Sequence, residues 1–230
     1  VAVVDASSDN SFDPLADQTV SVTTADNDVA GFTVVESGGS TSVNESGTTD
    51  TFTVVLNAQP DTGTNVVIAI TSSDTGEATV NSPLTFTSGN WNTPQTVTVT
   101  GVDDNIIDGT ITSTLTISVV DAVSDDDFDG VANQTVSATT TDDDAAGFTI
   151  TQTGGSTSVS ESGTTDTFTI VLNAQPASNV VLTVTSSDTG EATVSTGTLT
   201  FTSGNWNTAQ TVTVTGVNDN LVDGTITSTI

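Results

Sequence analysis

The chain has 230 residues, 29 of them acidic and none Lys, Arg or His, so its formal net charge is -29; Cys, Met and Tyr are absent too. That composition excludes disulfides, Lys-based crosslinks, and zinc or copper centres built on His or Cys, and it makes nucleic acid and anionic membranes poor partners, since neutralising phosphates needs Lys or Arg. Nothing in the chain can neutralise a carboxylate, so metal ions or a cationic partner must come from outside if the charge is not to oppose compaction.

In chain order, residues 1–29 open on Val3-Val4-Asp5 and close on Asp26 and Asp28. The next stretch carries β-type runs at Thr51 to Leu56, Asn65 to Ile70, Leu84 to Phe86, Thr96 to Thr100 and Ile111 to Ile117. They are rich in β-branched residues, and most alternate apolar with Thr or Ser, which puts one face on a core and the other in water. Clusters of Gly, Asn, Asp and Ser at Ser37 to Ser40, Asn57 to Gly63, Ser72 to Gly76 and Ser88 to Asn92 punctuate the runs as turns. Helical periodicity is nowhere sustained, and neither an apolar run long enough to cross a bilayer nor a basic-then-apolar leader occurs in these residues.

The pattern then repeats. Gly31-Phe32-Thr33 returns as Gly147-Phe148-Thr149, and Thr85 to Asn92 as Thr200 to Asn207, a period of about 115 residues that marks modules in series. Val3-Val4-Asp5 matches Val119-Val120-Asp121, so residues 1–29 read as the end of a further copy. About seven short strands per repeat predict an all-β chain of tandem immunoglobulin-like sandwiches arranged end to end. The expected units are a C-terminal strand portion at 1–29, a complete sandwich at 30–145, and at 146–230 a second sandwich lacking its last strand. Either the polypeptide continues through the cut, or one chain's N-terminal segment completes the next chain's sandwich; both give head-to-tail arrays of copies.

The acids gather in turns: Glu45, Glu77, then Asp103, Asp104 and Asp108, and finally Asp142, Asp143 and Asp144 at the exit of the first unit. Loops from distant sequence positions meet at the ends of a sandwich, where many hard oxygen ligands suit Ca²⁺. The plainer reading is that Asp favours turns and solvated surface. A further run, Asp125-Asp126-Asp127-Phe128-Asp129-Gly130, opens like a calcium loop but has Val136 where an EF-hand has its distal Glu. It reads as a solvated hairpin loop, with an extra ion site as the alternative. Trp91 and Trp206 read as core or strand-edge residues, with sugar-stacking platforms as the alternative.

The ordered set Glu45-Ser46-Gly47, Leu84-Thr85-Phe86, a Val-Thr-Val strand, Asp103-Asp104 with Asp108, and Asp142-Asp143-Asp144 resembles the Calx-β module. Trp91 to Val99 resembles the tandem Calx-β-like repeats of large bacterial surface and secreted proteins. The resemblance implies several Ca²⁺ ions at one end of each sandwich, near the next domain. By position it implies ligands at Glu45, Glu77, Asp103, Asp104, Asp108, Asp142, Asp143 and Asp144, with the Ile106 carbonyl as a backbone ligand. In the second copy the matching residues are Glu161, Glu191, Asp219 and Asp223, Asn218 replaces one Asp, and Asp26 and Asp28 of a neighbouring segment would close the site. Fewer carboxylates there predict weaker binding. The resulting expectation is a secreted or cell-surface structural protein, a calcium-stiffened fibre or adhesin stalk and not an enzyme. The alternative is an adhesive module for glycan, ice or another surface.

Overall fold

A computed structural model describes residues 1–230. The first repeat forms two facing sheets. One has the order β1-β3-β7-β5, built from β1 (Phe32–Glu36), β3 (Thr49–Leu56), β7 (Gln95–Gly101) and β5 (Ala78–Val80), all antiparallel. The other has the order β2-β9-β8-β4-β6, from β2 (Thr41–Asn44), β9 (Gln134–Thr141), β8 (Ile111–Val119), β4 (Asn65–Ser72) and β6 (Leu84–Thr87). It is antiparallel except where β2 lies parallel to β9. A turn at Ser37–Gly39, with Gly38 and Gly39 at positive φ, carries the chain from the first sheet to the second.

Alternation selects the inward face. Phe52, Val54 and Leu56 of β3, Val66, Ile68 and Ile70 of β4, Val97 and Val99 of β7, Leu115 and Ile117 of β8, and Val136 and Ala138 of β9 meet in one core. Each large apolar side chain so buried contributes roughly 1.5–3 kcal/mol relative to exposure. The acidic run between β8 and β9 corrects the expectation of a solvated loop. Phe128 plugs the core, and the buried Asp125 accepts the N–H of Asp61 (2.8 Å), the hydroxyl of Thr64 (2.5 Å) and the N–H of Asp127 (3.0 Å). These bonds, with the Thr64 hydroxyl foremost, hold the Asp125 carboxyl below its usual range, so its lone pairs serve the fold.

The second repeat builds the equivalent first sheet, in the order β10-β11-β15-β13, from β10 (Phe148–Gln152), β11 (Thr165–Leu172), β15 (Gln210–Gly216) and β13 (Ala192–Val194). Its opposing layer is one pair, β12 (Val180–Thr183) with β14 (Thr198–Phe201). No strand occupies the places of β2, β8 or β9, and residues 1–29 form no strand either, only a short turn at Asp5–Ser7. The chain is therefore all-β, with immunoglobulin-like sandwiches in tandem, the second open on one side. Trp91 and Trp206 are half-buried and pack against the two cores.

Candidate metal centre

At one end of the first sandwich the backbone brings carboxylates together from four separate turns. Strand β2 ends in the turn Asn44 to Gly47, closed by the Gly47 N–H to the Asn44 carbonyl (3.2 Å), and the Glu45 N–H donates to the Thr141 carbonyl of β9 (3.1 Å). This turn presses against the end of β7, where a Cβ on Gly101 would run into the Asn44 carbonyl. Only a glycine admits that approach, which turns the Glu45 side chain inward until just 1% of the residue is exposed. Glu77 comes from the turn before β5, where the Gly76 N–H donates to Asp74 Oδ1 (3.0 Å) and the Glu77 carbonyl accepts from Val102 N–H (2.9 Å). Asp104 and Asp108 lie on the loop between β7 and β8, and Asp144 follows β9.

Two groups result. The carboxylate oxygens of Glu45, Asp104 and Asp144 lie within 4.8 Å of one another, and so do those of Glu45, Glu77 and Asp108. Glu45 belongs to both. Both its oxygens, Glu77 Oε2 and Asp144 Oδ2 are buried with no hydrogen-bond partner. Burial of this kind is costly for an ionised group without a counter-charge. Loss of water, then the charge of Asp142, push the Glu45 carboxyl up to about 7, with Asp108 and Asp104 adding to the rise and the backbone N–H of Asp143, near but outside hydrogen-bond geometry, opposing it. Glu77, Asp108 and Asp144 are raised as well, with burial the leading cause and neighbouring acids adding to it. Orphaned, crowded hard-oxygen donors fit a divalent cation of the Ca²⁺ type, and no side chain in the protein can supply that charge.

Asp142 behaves differently. Its Oδ2 accepts the Gly109 N–H (2.9 Å) and its Oδ1 the Asp144 N–H (2.7 Å), which lowers its pKa and ties the β7–β8 loop to the exit strand. Asp103 and Asp143 are exposed and fall in neither group. Ile106 is exposed, and its N–H is held by Asp104 Oδ1 (2.6 Å). In the second repeat Glu191, Asp219 and Asp223 form a third group within 4.8 Å, and burial, then Asp223 and Asp219, raise Glu191. Glu161 is half-exposed and outside that group, and Asp26 and Asp28 stand exposed in the N-terminal segment.

The loop that carries Asp104 and Asp108 also reaches the second sandwich. The Asn105 carbonyl accepts the Gln175 N–H (2.6 Å), Ile106 bridges to Gln175, and Ile107 borders an apolar hollow with Phe148, Leu172, Ala174 and Pro176. Sequence reasoning did not single out Asn105, Ile107 or Gln175. The signal available was the turn Asn57-Ala58-Gln59-Pro60, which recurs unchanged as Asn173-Ala174-Gln175-Pro176.

No protein-family model matches the chain, and no curated protein is similar to it. Among solved structures, the apo form of the Calx CBD1 domain is 15% identical with a TM-score of 0.35, covering 50% of this chain and 99% of that one. The D0–D1 domains of intimin are 18% identical with a TM-score of 0.32, covering 81% and 83%. Domains 5–6 of the S-layer protein SbsC are 20% identical with a TM-score of 0.32, covering 84% and 86%. Likeness at this level adds nothing to what the sheets themselves show.

Proposed function

We propose that this chain is a structural segment of an extracellular fibre or adhesin stalk, in which Ca²⁺ stiffens the joints between successive sandwiches. One observation carries the reading: the loop holding Asp104 and Asp108 beside the buried, unpartnered Glu45 is the same loop that bonds to Gln175 of the next sandwich. Glu45, Glu77, Asp104, Asp108 and Asp144 would hold the cation, and Asp142 keeps their loops in place. Bound Ca²⁺ supplies the positive charge that offsets their repulsion. The residues themselves do the rest: Asp142 clamps Gly109, Asp104 clamps Ile106, and Asn105 and Ile107 then meet Gln175 and Phe148 from a fixed loop. With the charge uncompensated, repulsion among Asp104, Asp108 and Glu45 works against that loop and loosens the joint.

The extracellular assignment rests on composition. Calcium sites of extracellular modules work at about 10⁻⁴–10⁻³ M ion, concentrations the cytosol does not offer, and a chain without Cys has no thiol to oxidise. Catalysis has little support, since carboxylates are the acid–base groups available and in the first sandwich they crowd within 4.8 Å of one another instead of standing apart as a glycosidase pair does. The test is small-angle scattering with calorimetric titration of Ca²⁺ on the 230-residue chain. The expected result is saturable binding together with a narrower spread of distances between the sandwiches, reversed by chelation. Absence of binding heat with unchanged scattering would reduce the acids to surface charge.

A further inference from the structure

In the first sandwich the chain enters at the start of β1 and leaves after β9, at opposite ends of the two facing sheets. We infer that this sandwich is a directional mechanical clamp: tension along the chain pulls β1 and β9 lengthwise, so the fold resists stretching along the stalk and yields to peeling from the side.

The direction follows from the registers. β3 starts from the Glu45 turn, so its last residue, Leu56, and Phe32 opposite it lie at the end away from the carboxylates. β2 ends in the Glu45 turn itself, and β9 runs parallel beside it, with Thr41 opposite Ala138 and Asn44 opposite Thr141. β9 therefore finishes at the carboxylate end, where Asp142 to Ala146 lead into the next sandwich. Pulling entry and exit apart drags β1 one way and β9 the other, each along its own axis.

Ladder hydrogen bonds lie across the strands, so a lengthwise pull loads all the bonds of a ladder together, whereas a sideways pull at one end opens them one after another. β9 is held on both flanks, by β8 from Ile111–Thr140 to Ile117–Gln134 and by β2. The β2 contact is extended by the Glu45 N–H on the Thr141 carbonyl (3.1 Å) and the Thr141 hydroxyl on the Val43 carbonyl (3.3 Å). On the entry side β1 pairs with β3 over its whole length, and the Asn57 N–H donates to the Gly31 carbonyl (2.9 Å). Gln134 Nε2 donates to the Phe32 carbonyl (2.6 Å), which ties the first residue of β9 directly to the first residue of β1.

Side chains oppose sliding as well. Val136, Ala138 and Thr140 of β9 point inward, and the fully buried Thr140 donates its hydroxyl to the Glu77 carbonyl (3.3 Å). A slip of one residue would turn all three toward solvent and drive Ser137 and Thr139 into the core, so β9 cannot creep along its neighbours. Phe32 anchors the head of β1 in the same core.

Glu45 follows β2 and Asp144 follows β9, and their carboxylates share a group with Asp104. A cation there would fasten the end of β2 to the segment through which tension leaves. The use of the clamp and this staple rest on the calcium-stiffened stalk reading; the strand geometry stands without it.

The chain contains no Cys, so handles for optical tweezers can be placed by substitution. Val29→Cys with Ala145→Cys pulls along the stalk, and Thr112→Cys with Ala145→Cys pulls β9 sideways from β8 at the carboxylate end. All three positions are exposed and outside the carboxylate groups, and matching melts of the two variants would show that direction alone differs. In Ca²⁺ the first pair is expected to unfold the sandwich at a force at least about twofold above that at which the second detaches β9, since forced unfolding is governed by the unfolding rate. Equal forces, or a weaker first pair, would overturn the inference. In chelator the first force should fall and stay above the second; a fall to the level of the second would move the strength from the strands to the ion and also overturn it. A first force unchanged by chelation supports the clamp and counts only against an ion between Glu45 and Asp144.

Discussion

The two repeats carry nearly the same residues, and one is closed while the other is not. Phe32 is 3% exposed and its equivalent Phe148 is 50% exposed; the closed core gathers 19 buried apolar residues and the open one 9. The strand sequences do not explain this. β3 and β11 read almost identically, and so do β7 and β15. What differs is the second layer: β2, β8 and β9 complete it in the first repeat, with Asp142 to Asp144 following β9 at the metal end, whereas the second repeat has the β12–β14 pair alone. A core in this fold is thus a property of the segment that follows the sandwich as much as of the sandwich.

The largest expected effect contrasts the two plugs. Phe128→Ala should destabilise the first sandwich by about 3–5 kcal/mol, the usual cost of removing a fully buried Phe, whereas Phe12→Ala should change the melting of the dispersed chain by about 0.5 kcal/mol or less. Denaturant melts of both variants check this. Equal losses would mean that Phe12 is already buried in the dispersed chain, and the contrast between the repeats would fail. Next comes Gly101→Ala, where a Cβ meets the Asn44 backbone and the neighbouring strand cannot yield easily. We expect a loss of about 1–3 kcal/mol, the range for forcing atoms into a packed site, with displacement of Glu45. Gly216→Ala meets Ser160 in the same way, but the turn there lacks a covering strand, so its cost should be smaller.

Much of this arrangement was legible in the sequence. The alternation of Thr and apolar residues located β3, β4, β6, β7 and β8, and the repeat disclosed where the second copy lacks strand material. β1, β2, β5 and β9 were not singled out: a short strand such as Ala78–Val80 owes its place to a neighbour and not to a pattern of its own, whereas the eight residues of β9 do alternate, with Val136, Ala138 and Thr140 inward. Among the acids, sequence order named turns that the fold brings to one end of the sandwich and could not rank them. That Glu45 is buried and Asp103 and Asp143 are not depends on the Gly101 contact and on which way each turn faces. Asp125 misled for the same reason: an acid in an Asp run and an acid anchoring a core loop look alike until Thr64 and Asp61 are seen on it.

Glu45→Gln separates fold from ion binding. Above about pH 7 it removes a buried charge that has no partner in the ion-free chain, so the ion-free melting midpoint there should rise. Calcium affinity at the first site should fall by at least the roughly tenfold that loss of an outer-shell partner costs. Glu161→Gln, at a half-exposed position, should do less on both counts. A drop in ion-free stability for Glu45→Gln would show that the carboxylate is satisfied after all.

The last effect is a proton, and it is the most specific to the closed site. In the ion-free fold the Glu45 carboxyl titrates at about 7 instead of 4.5, so between those values the folded chain holds a proton that the unfolded chain has lost. The ion-free fold is accordingly favoured at low pH and loses stability as pH rises from about 4.5 through about 7. A cation needs the ionised form, so binding at pH 6 must expel that proton, and affinity should climb with pH until about 7 and then level off. Calorimetric titration in buffers of different ionisation enthalpy measures the release directly. On the order of one proton should leave Glu45 at pH 6 and none at pH 9, and Glu45→Gln should remove that share of the release. Release that is independent of pH, or unchanged in the variant, would place the protonated group elsewhere and end the case for Glu45 as the centre of the site.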